Sequence, residues 1–210
     1  MKKAVVLLSG GLDSATTLFY AKDKGYQCFA LTFDYGQRHK KEIQAAKHIA
    51  KIAKIPQTIL KIALPWKGSA LLDEKASLPK NRSTRKMSKE IPVTYVPARN
   101  TIFLSYALSY AEALGAEAIF IGANAIDYSG YPDCRPNFIK SFERTGKLGT
   151  KSGKIRILAP LIKLTKAEII KLGKKLGVPH EKTWSCYAGG QTPCGVCDSC
   201  LIRNKGFSSI

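Results

Sequence analysis

The sequence predicts an α/β protein in which one doubly wound, parallel five-stranded sheet is followed by a four-cysteine zinc knuckle at the carboxyl terminus. Short apolar runs alternate with longer segments of helical period, a pattern typical of βαβ units. A glycine-rich turn joins the first apolar run to the first helical segment. Four of the six cysteines lie between positions 186 and 200.

The predicted strands are five short apolar runs, which are Ala4–Leu8, Cys28–Phe33, Thr58–Leu64, Ala118–Ile121 and Ile155–Ala159. Apolar residues recur at helical spacing in four longer segments, which are Ser14–Lys24, His39–Lys54, Asn100–Leu114 and Thr165–Leu176. Thr165 and Glu168 form the pattern of a capping box at the start of the last helix, and Gly177 ends it. Such alternation favours a parallel sheet with helices on both faces, where ligands bind beyond the carboxyl ends of the strands.

The turn after the first strand reads Ser9-Gly10-Gly11-Leu12-Asp13-Ser14. Two adjacent glycines let the backbone approach a ligand closely and present successive N–H groups to it. The serine hydroxyls and the positive end of the next helix favour a phosphate at the same point. Asp13 is unusual in an anion site, and a Mg²⁺ ion bridging phosphate oxygens accounts for it. The loop has no lysine where the GxxxxGK[ST] motif of other NTPases needs one.

The carboxyl-terminal cysteines have the spacing of a metal site. Cys186 precedes the run formed by Cys194, Cys197 and Cys200. Four thiolates close a tetrahedral zinc shell and leave no open position, which favours a structural zinc ion. An iron–sulfur cluster, which uses the same C-x₂-C-x₂-C spacing, and free thiols stay open as alternatives.

Further polar residues follow the predicted strands or precede the long helix. Arg99 lies just before that helix and has the geometry to bind phosphate bidentately. Asn124 and the segment Asp127–Arg135 follow the fourth strand, and Lys163 follows the fifth. Because the carboxyl ends of parallel strands meet at one edge of a sheet, we expect these side chains near the ligand.

The net charge of +19 favours anionic partners, which include nucleotides, acidic small molecules and nucleic acid. Many of the lysines fall on polar faces of helical segments, where they serve as solvated surface. No apolar run reaches the roughly 20 residues of a membrane span. The apolar run at the amino terminus passes into the glycine loop without a small-residue cleavage site, so we interpret it as the first strand of a cytoplasmic protein.

The length of 210 residues suits one well-buried domain. We expect a nucleotide-binding α/β domain over residues 1–182 and a zinc-binding segment over residues 183–210. Between residues 64 and 92 the regular pattern lapses, and residues 80–86 are polar and basic. We expect a mobile basic loop there, either an ordinary solvated insertion or a lid over the site.

Several strings together resemble one known family. They are Ser9–Ser14, Thr32–His39 with its DYGQRH string, Val96–Asn100, Asp127–Arg135 with its DYSGYPDCR string, Thr183–Tyr187 and the cysteine run. The loop Ser9–Ser14 matches the SGGxDS pyrophosphate loop of the N-type ATP pyrophosphatases. With the other strings, which span the chain in family order, the sequence resembles the 7-cyano-7-deazaguanine synthases of queuosine biosynthesis.

This resemblance implies an adenine nucleotide alpha hydrolase-like fold. It also implies an ATP-dependent ligase that converts 7-carboxy-7-deazaguanine and ammonia into 7-cyano-7-deazaguanine (preQ0) through adenylated intermediates and an amide, releasing AMP and pyrophosphate. Zn²⁺ on four cysteines, Mg²⁺ with ATP and a homodimer belong to the same expectation, and nucleic acid is not required.

The residues that we expect to act fall into four sets. The catalytic set is Asp13, Arg99, Asp127, Asp133 and Lys163, of which Asp127 is a candidate to accept ammonium protons. The ATP-binding set is Leu8, Ser9, Gly10, Gly11, Leu12, Asp13, Ser14, Ala15, Thr16, Thr17 and Leu18. The substrate-binding set is Asn124, Tyr128 and Arg135. The metal ligands are Cys186, Cys194, Cys197 and Cys200.

Other functions remain open at this point. A tRNA-modifying ATP pyrophosphatase, which adenylates a base for thiolation or lysine addition, would suit the positive charge, but the chain has no separate RNA-binding domain. A relative that transfers the deazaguanine to another acceptor would share the motifs. A zinc-containing nucleic-acid-binding protein without activity would have no need of the pyrophosphate loop.

Overall fold

The computed structural model describes residues 1–66, 68–73, 75–83, 87, 90–124 and 131–210. Its strands are β1 (Lys3–Leu7), β2 (Gln27–Asp34), β3 (Gln57–Lys61), β4 (Ala118–Phe120) and β5 (Arg156–Leu158). The α-helices of the described part are α1 (Leu12–Asp23), α2 (Lys41–Ala53), α3 (Arg99–Leu114), α4 (Pro136–Gly149), α5 (Lys166–Lys175) and α6 (Asp198–Ser208). Short 3₁₀ turns cover Pro132–Cys134 and His180–Lys182.

The five strands form one parallel sheet in the order β3-β2-β1-β4-β5. β1 lies at the centre, where Val6 is paired with Ala30 of β2 and with Phe120 of β4. The chain first moves outward from β1 through β2 to β3 and then returns to the other side for β4 and β5. The strand order therefore reverses between β1 and β4, which confirms the doubly wound sheet that the sequence predicts.

Helices cover both faces of this sheet. Val5 and Leu7 of β1 belong to the core beneath α3 and α4, whereas Ala4 and Val6 belong to the core beneath α1 and α2. Successive strand residues point to opposite faces, and both faces of a parallel sheet are buried, so every position of β1 from 4 to 7 is apolar. A third, smaller cluster around Leu161 joins α5 to the start of α1.

Two of these helices are absent from the sequence prediction. α4 begins with a proline at its first turn and buries Ile139 and Phe142 three residues apart, a signal that was available in the sequence. α6 begins inside the cysteine run, where metal spacing hides the helical pattern. Among the described residues, no helix combines the length and the apolar character needed to span a membrane.

The segment 64–92 makes specific contacts in its described part. Lys80 forms an antiparallel bridge with Cys197, and the Asn81 N–H donates to the Val196 carbonyl at 2.9 Å. The Arg82 Nε lies 3.1 Å from both carboxylate oxygens of Asp198. These contacts join the described part of the segment to the cysteine run, and the mobility expected of the loop stays a prediction.

The carboxyl-terminal segment packs on the α/β domain. The Trp184 N–H donates to the Gly10 carbonyl at 2.9 Å. Gly206 of α6 lies so close to α5 that a Cβ there would be 2.6 Å from Cγ of Lys166 and 2.9 Å from Cδ1 of Ile170. The expected division into residues 1–182 and 183–210 thus separates two parts that share one packed interface.

Candidate active site and cysteine cluster

A cavity of about 240 Å³ opens at the carboxyl edge of the sheet, where the strand order reverses. The ends of β1, β2 and β4 form its base, and the first turns of α1, α2, α3 and α5 contribute side chains to its wall. The segment Trp184–Tyr187 and Arg203 of α6 bring the carboxyl-terminal part of the chain to the same cavity. This is the position at which open α/β sheets bind their ligands.

The loop Ser9–Ser14 lines this cavity, and hydrogen bonds of its own serine hydroxyl groups stabilise its conformation. The Ser9 Oγ lies 3.0 Å from the Ser14 Oγ, which also donates to the Gly11 carbonyl at 3.0 Å. The Ser9 N–H donates to the Ser14 Oγ at 3.2 Å, and the Gly11 N–H donates to the Ser9 Oγ at 3.3 Å. No side chain of the described residues caps the start of α1. The free N–H groups of its first turn therefore suit an anionic ligand.

Glycines fix the position of this loop against its neighbours. Gly10 has a φ of +88°, and a Cβ there would lie 2.2 Å from the Glu42 carbonyl oxygen of α2. On the other side, a Cβ at Gly122 would lie 3.0 Å from the Asp13 carbonyl carbon and from the Ser14 nitrogen. Larger residues at either position would push the loop out of the space between β4 and α2.

Asp13 is paired with a lysine that sequence reasoning missed. Lys166 Nζ donates to the two carboxylate oxygens of Asp13 at 2.7 and 2.8 Å, and Lys166 is 9% exposed. Lys163, which we expected at this edge, is exposed and is not part of the cavity lining. A signal existed in the sequence, since a lysine in the first turn of a helix opposes the helix dipole and so suggests a role outside the helix.

Arg99 lies at the start of α3, where its side chain lines the cavity as expected. Its Nη1 donates to the Tyr35 hydroxyl at 3.0 Å, and its guanidinium carbon lies 5.7 Å from the centre of the Tyr35 ring. Glu42, in the first turn of α2, lines the same cavity. Burial raises the pKa of Glu42 to about 7, and the positive charge of Arg99 partly opposes this rise.

Asp133 is buried against the start of α3, whereas Arg135 is exposed. The Asp133 carboxylate accepts the Asn100 N–H at 2.9 Å, and the Asn100 side chain donates to the Asp133 carbonyl at 3.0 Å. Asp133 thus stabilises the first turn of α3, a contact typical of a helix cap. Arg135 is exposed at the start of α4, and neither residue is part of the cavity lining. Asp133 contacts Asn100, which lines the cavity, and the roles expected of Asp133 and Arg135 stay predictions.

Asn124 is 3% exposed and lines the cavity. Its side-chain amide donates to the Leu161 carbonyl at 3.3 Å, so it ties the end of β4 to the loop after β5. Asp127 and Tyr128 lie outside the described residues, and their expected roles stay predictions.

Arg203 of α6 is a second cation that sequence reasoning missed. Its Nη1 donates to the Thr183 Oγ1 at 2.8 Å and to the Ser185 Oγ at 3.2 Å, while its Nη2 donates to the His180 carbonyl at 2.8 Å. Burial lowers the pKa of Arg203, and the negative charge of Asp13 counteracts this effect. Nothing in the sequence distinguishes this arginine from its neighbours, because it reaches the cavity only through the packing of α6 on α5.

The four carboxyl-terminal cysteines converge on one point beside the cavity. Their sulfur atoms all lie within 4.8 Å of one another, and Cys194 alone among the four is exposed. The N–H groups of Ala188 and Cys194 donate to the Cys186 sulfur at 3.4 and 3.3 Å. A Zn–S distance of about 2.3 Å places tetrahedral thiolates roughly 3.8 Å apart, so a small contraction would close this cluster on one ion. The four cysteines therefore form a group that can hold a metal ion.

The sheet order, the loop Ser9–Ser14 at the switch point and the cysteine cluster define a protein with the fold of the PP-loop ATP pyrophosphatases. Solved structures with this fold superpose on the chain. NMN synthetase from Francisella tularensis matches with a TM-score of 0.52 and 19% identity over 92% of this chain and 70% of that chain. A 4-thiouridine synthetase, solved with RNA and ATP, matches with a TM-score of 0.50 and 20% identity over 99% of this chain and 54% of that chain. At these identities the likeness concerns the fold alone.

Sequence comparison is more specific. The family model for queuosine biosynthesis protein QueC matches residues 3–210. A 7-cyano-7-deazaguanine synthase from Nostoc punctiforme is 56% identical, over 99% of this chain and 96% of the relative. Those from Thermosynechococcus vestitus and Thermoplasma volcanium are 57% and 55% identical, over 100% and 98% of this chain and 92% and 86% of the relatives. The chain belongs to the QueC family, which confirms the resemblance found in its motifs.

Proposed function

We propose that this chain is an ATP-dependent ligase that converts 7-carboxy-7-deazaguanine and ammonia into 7-cyano-7-deazaguanine, with release of AMP and pyrophosphate. Membership of the QueC family and the name of the relatives support the substrate and the product. The structural observation that carries the ATP chemistry is the loop Ser9–Ser14, whose uncapped helix start opens into the cavity at the switch point.

The proposed reaction explains why a pyrophosphate loop is needed. A carboxylate is a poor electrophile, because oxide would have to leave when ammonia attacks it. Adenylation converts one carboxylate oxygen into part of AMP, which is a good leaving group, and ammonia then forms the amide. A second adenylation on the amide oxygen lets a second AMP leave as the nitrile forms. In such a reaction the protein contributes mainly positioning and the neutralisation of charge.

The cations of the cavity suit the phosphates of ATP. We assign the pyrophosphate to the N–H groups of the loop and to Lys166, and we assign charge neutralisation during adenylyl transfer to Arg99. Arg203 also lines the cavity and supports the segment Trp184–Tyr187 through its contacts with Thr183 and Ser185. The position of Lys163 after the fifth strand also predicts a catalytic role for it, but its exposure favours Lys166 for this task.

Asp13 is the residue that we propose to hold Mg²⁺ with ATP. Its carboxylate lines the cavity directly after the glycines of the loop, and carboxylate oxygens are ligands that Mg²⁺ prefers. Bound Mg²⁺ would neutralise phosphate charge. An ion held by Asp13 would share this carboxylate with Lys166, whose ammonium group could also donate to a phosphate oxygen.

We propose zinc for the cysteine cluster. Four sulfur atoms within 4.8 Å of one another suit a single Zn²⁺ ion, whereas the thiolates around an iron–sulfur cluster bond separate irons. The bound ion would be structural, since four thiolates leave no open position. It would hold the ends of the segment 186–200 together and so fix Trp184 against the loop.

Ammonia as the nitrogen donor and assembly into a homodimer also belong to this proposal. The family resemblance motivates both of them, and static light scattering on the purified protein measures the assembly directly. A monomer at micromolar concentration would contradict the homodimer.

One assay tests the proposed activity. Purified protein is incubated with Mg-ATP, ammonium and 7-carboxy-7-deazaguanine, and AMP, pyrophosphate and the base product are followed by mass spectrometry. We expect AMP together with a base whose mass equals that of substrate plus ammonia minus two waters. Turnover that requires tRNA would instead indicate a tRNA-modifying enzyme, and the absence of any nucleotide consumption would refute the proposal.

A further inference from the structure

The proposed reaction releases protons inside the cavity. Amide formation from the acyl adenylate and ammonia breaks one N–H bond and the C–O bond to AMP. Nitrile formation from the adenylated amide breaks the remaining two N–H bonds and the second C–O bond, and AMP takes the electron pair of each C–O bond. Three protons per nitrile therefore pass to a base that contacts the substrate.

The described residues offer two carboxylates to this cavity, Asp13 and Glu42. Both oxygens of Asp13 already accept hydrogen bonds from Lys166. Burial raises the pKa of the Cys134 thiol to about 12, so the thiol keeps its proton at neutral pH. Burial likewise raises the pKa of the Tyr35 hydroxyl, which excludes it as a base at neutral pH.

Glu42 differs from Asp13 in its surroundings. Among the described residues, no group donates a hydrogen bond to its carboxylate. Glu42 interacts electrostatically with Arg99 of α3 and with the Tyr35 hydroxyl, which follows β2 and accepts a hydrogen bond from Arg99. The Glu42 main chain packs directly on Gly10, and Glu42 lines the same cavity as the loop Ser9–Ser14. Asp13, Lys166 and Arg203 are the other charged groups of the same cavity.

We propose that Glu42 is the base that accepts these protons one at a time and passes each to solvent before the next, since it is the cavity-lining carboxylate that no described residue holds by a hydrogen bond. The inference rests on the proposed function and adds a named residue to it. A pKa of about 7 supports this role, because a base works best when its pKa is close to the working pH. Arg99 keeps the ionised form accessible in spite of burial.

The test uses the amide, 7-deazaguanine-7-carboxamide, as the substrate. Its conversion to the nitrile needs ATP but no ammonium, so the titration of ammonium does not affect the pH profile. For the wild-type protein we expect kcat to fall as the pH falls below about 7, as Glu42 becomes protonated. Glu42→Gln should lower kcat by roughly 10²- to 10⁴-fold and remove this acid limb. Carboxylate-dependent exchange of pyrophosphate into ATP, in which no N–H bond breaks, should stay at the wild-type level.

Three variants complete the design. Glu42→Asp keeps a carboxylate and should keep the acid limb at a reduced rate, which separates loss of the base from loss of the fold. Glu117→Gln removes an exposed carboxylate far from the cavity and should match the wild type. Asp127→Asn tests the base that the sequence predicts. An acid limb that persists in Glu42→Gln, or that disappears in Asp127→Asn instead, overturns the inference and leaves the proposed function intact. Absence of pyrophosphate exchange in the wild type refutes the proposed function itself.

Discussion

Gly10→Ala perturbs the loop Ser9–Ser14 at its closest contact with α2. The added methyl carbon would lie 2.2 Å from the Glu42 carbonyl oxygen and 2.6 Å from the Ala46 nitrogen, both of which belong to the backbone of α2. A φ of +88° adds strain, since an L residue there costs about 1–2 kcal/mol. Overpacking of a close contact costs typically about 1–3 kcal/mol. The sum is a loss of roughly 2–5 kcal/mol in the free energy of unfolding.

A matched control separates the two causes. Gly25 has a φ of +78° at the end of α1, and a Cβ there would meet nothing within 4 Å. Gly25→Ala should therefore show only the conformational strain, about 1–2 kcal/mol. At about 2–4 °C per kcal/mol for a chain of this size, Gly10→Ala should melt roughly 4–20 °C below the wild type and Gly25→Ala roughly 2–8 °C below it.

Thermal melting followed by circular dichroism measures the stability of each variant. The rate at which labelled pyrophosphate exchanges into ATP reports whether the loop still supports adenylyl transfer. Relief of the clash must move the loop or α2, and a misplacement of about 1 Å can cost roughly 10²-fold in rate. We expect this loss of exchange in Gly10→Ala and near-normal exchange in Gly25→Ala. Equal melting temperatures for the two variants, or full exchange in Gly10→Ala, would refute the packing argument.

Four further predictions follow from other contacts. Arg82→Met leaves the Asp198 carboxylate, which is 4% exposed, without its partner, and should lower the free energy of unfolding measured in urea by about 3–5 kcal/mol. Unchanged stability would mean that this ion pair contributes nothing. Cys194→Ser should lower both the bound zinc measured by mass spectrometry and the melting temperature, and full zinc content would contradict the four-cysteine site. Lys166→Met should reduce kcat/KM for ATP roughly 10- to 100-fold, because a hydrogen bond to a charged group contributes about 1.5–3 kcal/mol, while Lys166→Arg should retain more activity. The pKa of Glu42 is about 7 in the folded chain and ordinarily 4.5, so the folded state binds more protons than the unfolded state between these pH values. The free energy of unfolding of the wild type, relative to Glu42→Gln, should therefore fall as the pH rises from about 4.5 to 7 and level off above it. A parallel pH dependence of the two proteins would contradict the burial of this carboxylate.

The sequence predicts the sheet well, because each strand carries a local signal. The apolar run Ala4–Leu8 and the glycine turn after it are adjacent in the chain, and the structure places β1 and the loop accordingly. The four cysteines are likewise recognisable from spacing alone, and they converge as expected. Local pattern is sufficient wherever the residues that act together are neighbours in sequence.

Local sequence pattern does not predict which side chains meet in the cavity wall. Lys166 is 153 residues from Asp13, and only the packing of α5 against α1 brings the two together. Lys163, in the loop before α5, is exposed, whereas Lys166, the first residue of α5, is buried beside Asp13, and the local pattern does not distinguish the two lysines. The motif around Asp133 predicts a catalytic role for it, but does not predict that its carboxylate accepts a hydrogen bond from the backbone of α3. Side-chain direction at a helix start is a tertiary property, and the motif alone does not contain it.

The transfer of oxygen from substrate to AMP tests the central claim most directly. The substrate is prepared with ¹⁸O in both carboxylate oxygens and is incubated with the protein, Mg-ATP and ammonium, and the mass of the nucleotide product is measured. If the loop holds the departing pyrophosphate while the adenylyl group passes to the carboxylate, AMP should carry one ¹⁸O atom per molecule. Release of ADP, or of AMP without ¹⁸O, would contradict the account.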